Sequence, residues 1–470
     1  MHYVSTRGGA APVSFLDAVL AGLAPDGGLY VPQEWPQLDP ATLAAAATAP
    51  YAQTAAAVLS VFAGADLDDA TCQALCARAY GSQWASPAVT PLRQVGPGLW
   101  ILELFHGPSL AFKDVAMQLI GQLYDHALTA RDARLTVVCA TSGDTGGAAV
   151  EALRHSTRTD LFVILPEGRV SEVQRRFMTG SGAPHVRALV ADGDFDAAQA
   201  VVKDLFADRD FSTAVALSPV NSINIARIVA QAVYYVVASA CLSRGGEPVH
   251  FTVPSGNFGD ALAGFVARRI GAPVGQITIA TNANDGLVKA LEGGRYVRTA
   301  ASQATISPAM DITVASNFER LVHALTPGPL QARSDATRAA YASFAQSGAF
   351  DLPAGMQEAM AALFSARGID DATTRAAMRD AHASTGEILC PHTAVAWAAR
   401  PAAGTLAGHQ VILATAHPAK FPQTVQETLG IDPPLPAHCA DLFGRPETFT
   451  RVPADAAAVK GAIRGALEMR

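Results

Sequence analysis

Apolar positions in the first ninety residues gather in alanine-rich stretches. ATLAAAAT (41–48) and TAAAVLSVFAG (54–64) predict helices, and PDGGLYVP (25–32) predicts a turn running into a short extended piece. From about residue 99 the pattern changes. LWILELF (99–105), LTVVCA (135–140), LFVILP (161–166), HVRALVA (185–191), HFTVP (250–254), QITIATN (276–282) and the start of HQVILATAHPAKF (409–421) are short apolar runs that predict buried strands. Between them lie stretches with apolar positions three and four apart. Val115, Leu119, Ile120 and Leu123 set that period in 114–128. SEVQRRFMTG, closed by Gly180, FDAAQAVVKDLF, the long SINIARIVAQAVYYVVASA (222–240) and ALAGFVARRI read as further helices. Strands alternating with helices imply a parallel sheet with crossover helices. Residues 328–385 read as helical and more polar, without chemistry of their own, and the chain beyond 435 says little.

Composition narrows the function classes. Half of the 470 residues are hydrophobic and 16% are charged, which excludes a disordered chain. A net charge of -7 removes the global basic footprint of a nucleic-acid binder. Cys72 and Cys76 have no second pair for zinc, and six cysteines are too few for a disulfide scaffold of this length. No metal site is expected. MHYVSTRGGAAPVSFLDAV has no basic segment leading into an apolar run, so no signal peptide is expected. No stretch of about 18 uncharged apolar residues is present, so no membrane span is expected, and a cytoplasmic setting fits best. Nothing in the pattern sets an oligomeric state.

Five stretches could carry chemistry. In HGPSLAFKD (106–114), Lys113 sits at a helix start among Leu110, Ala111, Phe112 and Val115. Desolvation and the positive end of a helix both favour a neutral amine, which a Schiff-base-forming nucleophile needs. A surface lysine paired with Asp114 is the alternative. SGNFGD (255–260) joins a strand to a helix, where glycines and a helix N-terminus can hold a phosphate. SGDTGG (142–147) occupies the same kind of turn, with the hydroxyls of Thr141, Ser142 and Thr145 as added donors. It lacks the dinucleotide spacing G-x-G-x-x-G, and its likeness to the trypsin-type nucleophile motif sits in the wrong fold. In NSINIAR (221–227), Asn221 and Ser222 have the character of a helix cap, and Arg227 on an apolar helix calls for an anion or an ion-pair partner. In ATAHPAKF (414–421), Thr415 ends a strand on the side where α/β sheets bind ligands. His106, His392 and His417 lack metal-ligand spacing and read as packed or hydrogen-bonded.

Together these motifs resemble the fungal and enterobacterial type of threonine synthase, in the tryptophan-synthase-β-like class (fold type II) of pyridoxal-phosphate enzymes. The likeness also takes in STRG (5–8), LAPDGGLYVP (23–32), LPEGRVS (165–171), SPAMDI (307–312) and CPHTAV (390–395), and covers residues 1 to about 425. It implies an α/β fold of two sheets. A helical N-terminal region (1–95) precedes a large cofactor domain (96–113 with 216–430), a smaller inserted βα domain (114–215) and a tail (431–470). It implies that Lys113 carries pyridoxal 5'-phosphate. Gly256, Asn257, Phe258 and Gly259, with Asp260 behind them, would cup the cofactor phosphate, and Thr415 would face the pyridine nitrogen. The turn from Thr141 to Thr145 would take the substrate carboxylate and the cofactor face. Related enzymes carry an asparagine where this chain has Asp144, and a carboxylate beside the ring oxygen would repel it. Asn221, Ser222 and Arg227 would grip the phosphate of O-phospho-L-homoserine, which becomes L-threonine and phosphate, with Lys113 as the general base. Rivals are a threonine dehydratase or another lyase of this cofactor class, and a catalytically silent homologue that binds phosphorylated metabolites.

Overall fold

The computed structural model describes residues 1–168, 170–193, 195–243, 246–402 and 404–469. Arg169 of the LPEGRVS stretch lies outside the described residues. Two main sheets are built from β1 (Leu92–Gly96), β2 (Leu99–Glu103), β3 (Leu135–Ala140), β4 (Thr159–Pro166), β5 (Val186–Ala191), β6 (Leu217–Pro219), β7 (Val249–Pro254), β8 (Val274–Thr281), β9 (Phe364–Gly368), β10 (Gln410–Ala414) and β11 (Phe449–Val452). The larger runs β9-β8-β7-β10-β2-β1 and the smaller β11-β5-β4-β3-β6. Neighbours are parallel throughout, except the β1–β2 hairpin. All eight residues of β4 are buried. Parallel strands covered by helices on both faces have no solvent side, and so appear as continuous apolar runs.

Seven helices matter for the site: α1 (Lys113–Ala130), α2 (Asp144–Leu153), α3 (Glu172–Thr179), α4 (Ile225–Leu242), α5 (Gly259–Arg269), α6 (Phe318–Leu325) and α7 (Pro391–Ala399). Ser171 and Gln174 close a reciprocal cap at the head of α3, satisfying two backbone donors that the helix leaves free. α4 is apolar on every side and packs against α1, α5 and the N-terminal helix Tyr51–Ala63. By length and composition α4 could cross a membrane, but 83% of it is buried inside the protein. An all-round apolar helix is a core helix in this setting.

Three edge strands depart from expectation. β1 lies within the stretch expected to be helical, and β9 lies within the polar 328–385 stretch. β11 belongs to the segment set apart as a tail. It pairs in parallel with β5, while Val459 and Ile463 of the following helix enter the core of the smaller sheet. Edge strands bond on one side only and can stay polar, so LRQVG, FSARG and FTRV carry little apolar signal.

Candidate active site

The loop from β2 into α1 is shaped from two directions. Asp114 accepts hydrogen bonds from the Ser109 N–H (2.8 Å), the Ser109 hydroxyl (2.6 Å) and the Ala111 N–H (3.4 Å). From the other side, the Phe112 N–H donates to the Thr415 carbonyl at 2.8 Å and the His417 N–H to the Leu110 carbonyl at 3.0 Å. Lys113 and Thr415 are therefore held in mutual register by backbone bonds. Asp114 is engaged with Ser109, so the alternative pairing with Lys113 is not made. Its carboxyl is pushed up to about 6, mainly by burial.

Lys113 instead faces Asp144, with Nζ 3.6 Å from Oδ2 and the side chain 12% exposed. Burial pulls the amine down to about 8. Asp144 opposes that shift, while Arg227 and Lys420 reinforce it. Asp144 leads α2 and is fully enclosed. Its Oδ1 meets Lys420 Nζ at 2.8 Å and accepts from Gln174 Nε2 at 3.0 Å. Burial alone would raise this carboxyl, but Lys420 and Lys113 hold it far below the usual carboxylate range. His392 on α7 accepts from the Ala309 N–H at 3.1 Å through Nε2, while its Nδ1 is buried without a partner. Burial keeps this imidazole neutral, down to about 4.

In the turn before α2, the Thr141 hydroxyl accepts from the Gly143 and Gly146 N–H groups, both at 3.0 Å. It builds the turn, and its own O–H remains available to donate. Ser142 and Thr145 keep half-buried hydroxyls. Gly143 sits at φ 132, and a Cβ there would meet the Gln174 side chain at 2.4 Å, so only glycine passes beneath the Gln174–Asp144 bond.

The SGNFGD turn follows β7. Phe258 is fully buried at φ 62, and α5 begins at Gly259. A Cβ on Gly256 would come within 3.2 Å of the Ala309 carbonyl and Met310 Cα. The Ser255 hydroxyl is buried and has no partner among the described residues. Asp260 does not face this turn. Its Oδ1 accepts from Tyr234 and, at 2.9 Å, from Tyr235 of α4. The expected contribution of Asp260 to the cup is thereby reduced to its backbone. Burial pushes the carboxyl up to about 6, against the tyrosines and Arg227. An unfolded chain ionises it near 3.9, so its contribution to stability is full below that pH and is lost as pH rises through 6, on the order of 3 kcal/mol. Asp260→Asn is expected to gain on the wild type in urea midpoint between pH 4.5 and 7; parallel midpoint curves would refute the linkage.

Arg227 is 3% exposed, one turn into α4. Among the described residues no carboxylate pairs with it, and its Nε is buried without a partner. Burial draws it down to about 10, with Tyr234 and Asp260 opposing from a distance. The cap of α4 is Asn224, whose side chain accepts from the Ala226 N–H at 3.0 Å, and not Asn221 or Ser222 as expected. Asn221 is exposed and folds its carbonyl oxygen back to the Ile223 N–H (3.2 Å). The Ser222 carbonyl accepts from Asn317 Nδ2 at 2.9 Å, and the Asn317 N–H donates to the Asn257 carbonyl at 3.1 Å. One residue thus ties the NSINIAR and SGNFGD turns together. Arg320 on α6 secures it from behind, donating to Asn317, to the Tyr30 carbonyl (3.0 Å) and to the Ile223 carbonyl (2.6 Å).

Residues 84–416 match the family described as pyridoxal-phosphate dependent enzyme. Residues 2–80 match the threonine synthase N terminus and residues 393–463 the threonine synthase C-terminal region. Over 465 residues the chain is 43% identical to the threonine synthase of Pseudomonas aeruginosa, covering 98% of each. The chain belongs to the threonine synthase family. The fold matches that in the crystal structure of a PLP-bound threonine synthase from Brucella melitensis, at TM-score 0.94 and 44% identity over 99% of both chains. The yeast threonine synthase structure matches at TM-score 0.94 and 35% identity, over 100% of this chain and 99% of that one. The two-sheet α/β architecture with a helical N-terminal region is that of the threonine synthase family. Within it, Lys113, Asp144 and Arg227 form one electrostatic neighbourhood, and Thr415 joins through the backbone. Lys420, Gln174, Asn317 and Arg320 complete this arrangement and were missed as site residues. Lys420 was visible only as a cation in a conspicuous loop, and the other three have no local signature.

Proposed function

We propose that this chain converts O-phospho-L-homoserine and water into L-threonine and phosphate, with pyridoxal 5'-phosphate carried on Lys113. The observation that carries the reading is the buried guanidinium of Arg227, whose Nε has no partner and which meets no carboxylate among the described residues, close enough to Lys113 to lower its basicity. An uncompensated buried cation is costly unless an anion arrives to meet it. Lys420 and Lys113 face one carboxylate, Asp144, and Arg227 adds a further positive charge near Lys113. That excess of positive charge favours phosphorylated ligands.

The residues fit the cofactor. The turn at Gly256, Asn257, Phe258 and Gly259 opens onto the N-terminus of α5, would crowd a Cβ at Gly256, and follows the Ser255 hydroxyl, which is unpartnered among the described residues. Such a turn holds a phosphate through backbone N–H groups. Thr415 would offer a hydroxyl to a ring nitrogen, and Lys113, its basicity lowered by burial, would offer its amine to the aldehyde. When bound, the cofactor supplies a sink for negative charge developing at the substrate Cα. Lys113 accepts the Cα proton and serves as the reaction's base. Arg227 grips the substrate phosphate with its planar fork, aided by the NSINIAR turn at Asn221 and Ser222. Ser142, Thr145 and the N-terminus of α2 orient the substrate carboxylate.

A cytoplasmic setting suits the six free cysteines. The test is phosphate release from O-phospho-L-homoserine with threonine scored in the same tube. Equal amounts of both are expected. Phosphate accompanied by 2-oxobutanoate would instead make the chain an eliminating enzyme.

A further inference from the structure

At the head of α2, two lysines face one carboxylate. Lys420 is completely buried, lies 2.8 Å from Asp144 Oδ1, donates to the Ser109 carbonyl at 2.7 Å, and has Nζ over the Phe177 ring. Lys113 approaches the other oxygen at 3.6 Å, beyond hydrogen-bonding distance. Gln174 takes a further position on Oδ1. The arrangement is asymmetric, since the short, doubly anchored contact belongs to Lys420. One negative charge in a buried site stabilises one ammonium well, not two.

We propose that Lys420 is a positioning residue for the reaction: by occupying Asp144 it forms a neutral pair at the head of α2 and leaves Lys113 without a close counter-charge of its own, so that Lys113 more readily gives the uncharged amine that attaches the cofactor. This rests on the reading of Lys113 as the cofactor lysine. It also accounts for the carboxylate at a position where related enzymes carry an asparagine. Paired with Lys420, Asp144 presents no net negative charge to a ring oxygen.

The surrounding groups leave the direction of the effect unaltered. Lys113 is faced by Asp144 from α2, Arg227 from α4, and Lys420. Asp144 is also faced by His392 from α7, which burial keeps neutral. Lys420 is within the field of Asp114, His392 and His417. Asp114 is tied to Ser109, and His417 is also pulled down to about 4, chiefly by burial. With Lys420 gone, Lys113 loses a neighbouring positive charge and gains an unshared carboxylate. Both changes favour its protonated form.

Attachment joins the Lys113 nitrogen to the cofactor's aldehyde carbon as a double bond, with loss of water, and requires the neutral amine. The full-length chain is freed of cofactor, mixed with pyridoxal phosphate across a pH series and quenched with borohydride. The reduced adduct on Lys113 is then counted by peptide mass spectrometry. The wild-type attachment rate is expected to rise with a midpoint near the amine's own value of about 8. Lys420→Met is expected to move that midpoint up by about one pH unit or more, and Lys420→Arg to restore it. An unmoved midpoint in Lys420→Met overturns the proposal. Should that variant not fold, Asp144→Asn and Asp144→Asn/Lys420→Met are compared. Without Asp144 the buried Lys420 has no carboxylate to neutralise, so the double variant is expected to match the single one, and a midpoint about one unit or more higher overturns the proposal. If the wild type forms no adduct on Lys113, the reading of the cofactor lysine fails instead, which these data distinguish.

Discussion

Lys113→Ala is expected to lower threonine formation by about 10³-fold or more and to abolish the visible absorption of the lysine-linked cofactor. The fold should survive. Asp144 keeps Lys420 and Gln174 as partners, so no buried charge is orphaned, and α1 loses only a side chain at its first position. Alanine also favours a helix. The cofactor can still enter, since the turn at Gly256–Gly259 and Thr415 are untouched. An added small primary amine should therefore recover part of the rate. A Lys113→Ala variant with full turnover would remove both anchor and base from the mechanism.

Arg227→Met is expected to separate activity from stability. The guanidinium would make two charge-assisted bonds to the substrate phosphate, each worth about 1.5–3 kcal/mol, so kcat/KM for O-phospho-L-homoserine should fall roughly 10²- to 10⁴-fold. The bound cofactor and its absorption should remain. Meanwhile the unfolding temperature should hold or rise, because methionine fills a similar volume and removes an unpaired buried cation from the apolar helix α4. Loss of the cofactor in this variant would assign Arg227 to the other phosphate. A fall in stability would mean that the guanidinium has a partner in solution.

Much of this architecture is written locally. β3, β4, β7, β8 and β10 are continuous apolar runs because parallel strands are buried on both faces, and the two glycine turns follow such runs directly. β1, β9 and β11 escape because an edge strand needs one bonded side and little apolar surface. The same division holds at the site. Lys113, Arg227 and Thr415 stand out against their apolar surroundings. Their partners do not, since Asp144 and Lys420 meet only after the chain has folded across both sheets. Asp114, beside Lys113 in the chain, is turned the other way by Ser109. The cap of α4 was misread by two to three residues because NSINIAR contains two asparagines, and only Asn224 has its carbonyl oxygen aimed at a helix N–H.

The pairing of β11 with β5 has a consequence for synthesis on the ribosome. The two strands lie about 260 residues apart, and at roughly 5–20 residues per second translation needs on the order of 13–50 s to cover that distance. Over that interval β5 presents an unpaired edge of backbone donors and acceptors, a template on which two nascent chains can join. Chaperone demand and sensitivity to C-terminal truncation are therefore expected to concentrate on this edge. The candidate site residues, from Lys113 to Lys420, are all translated before β11.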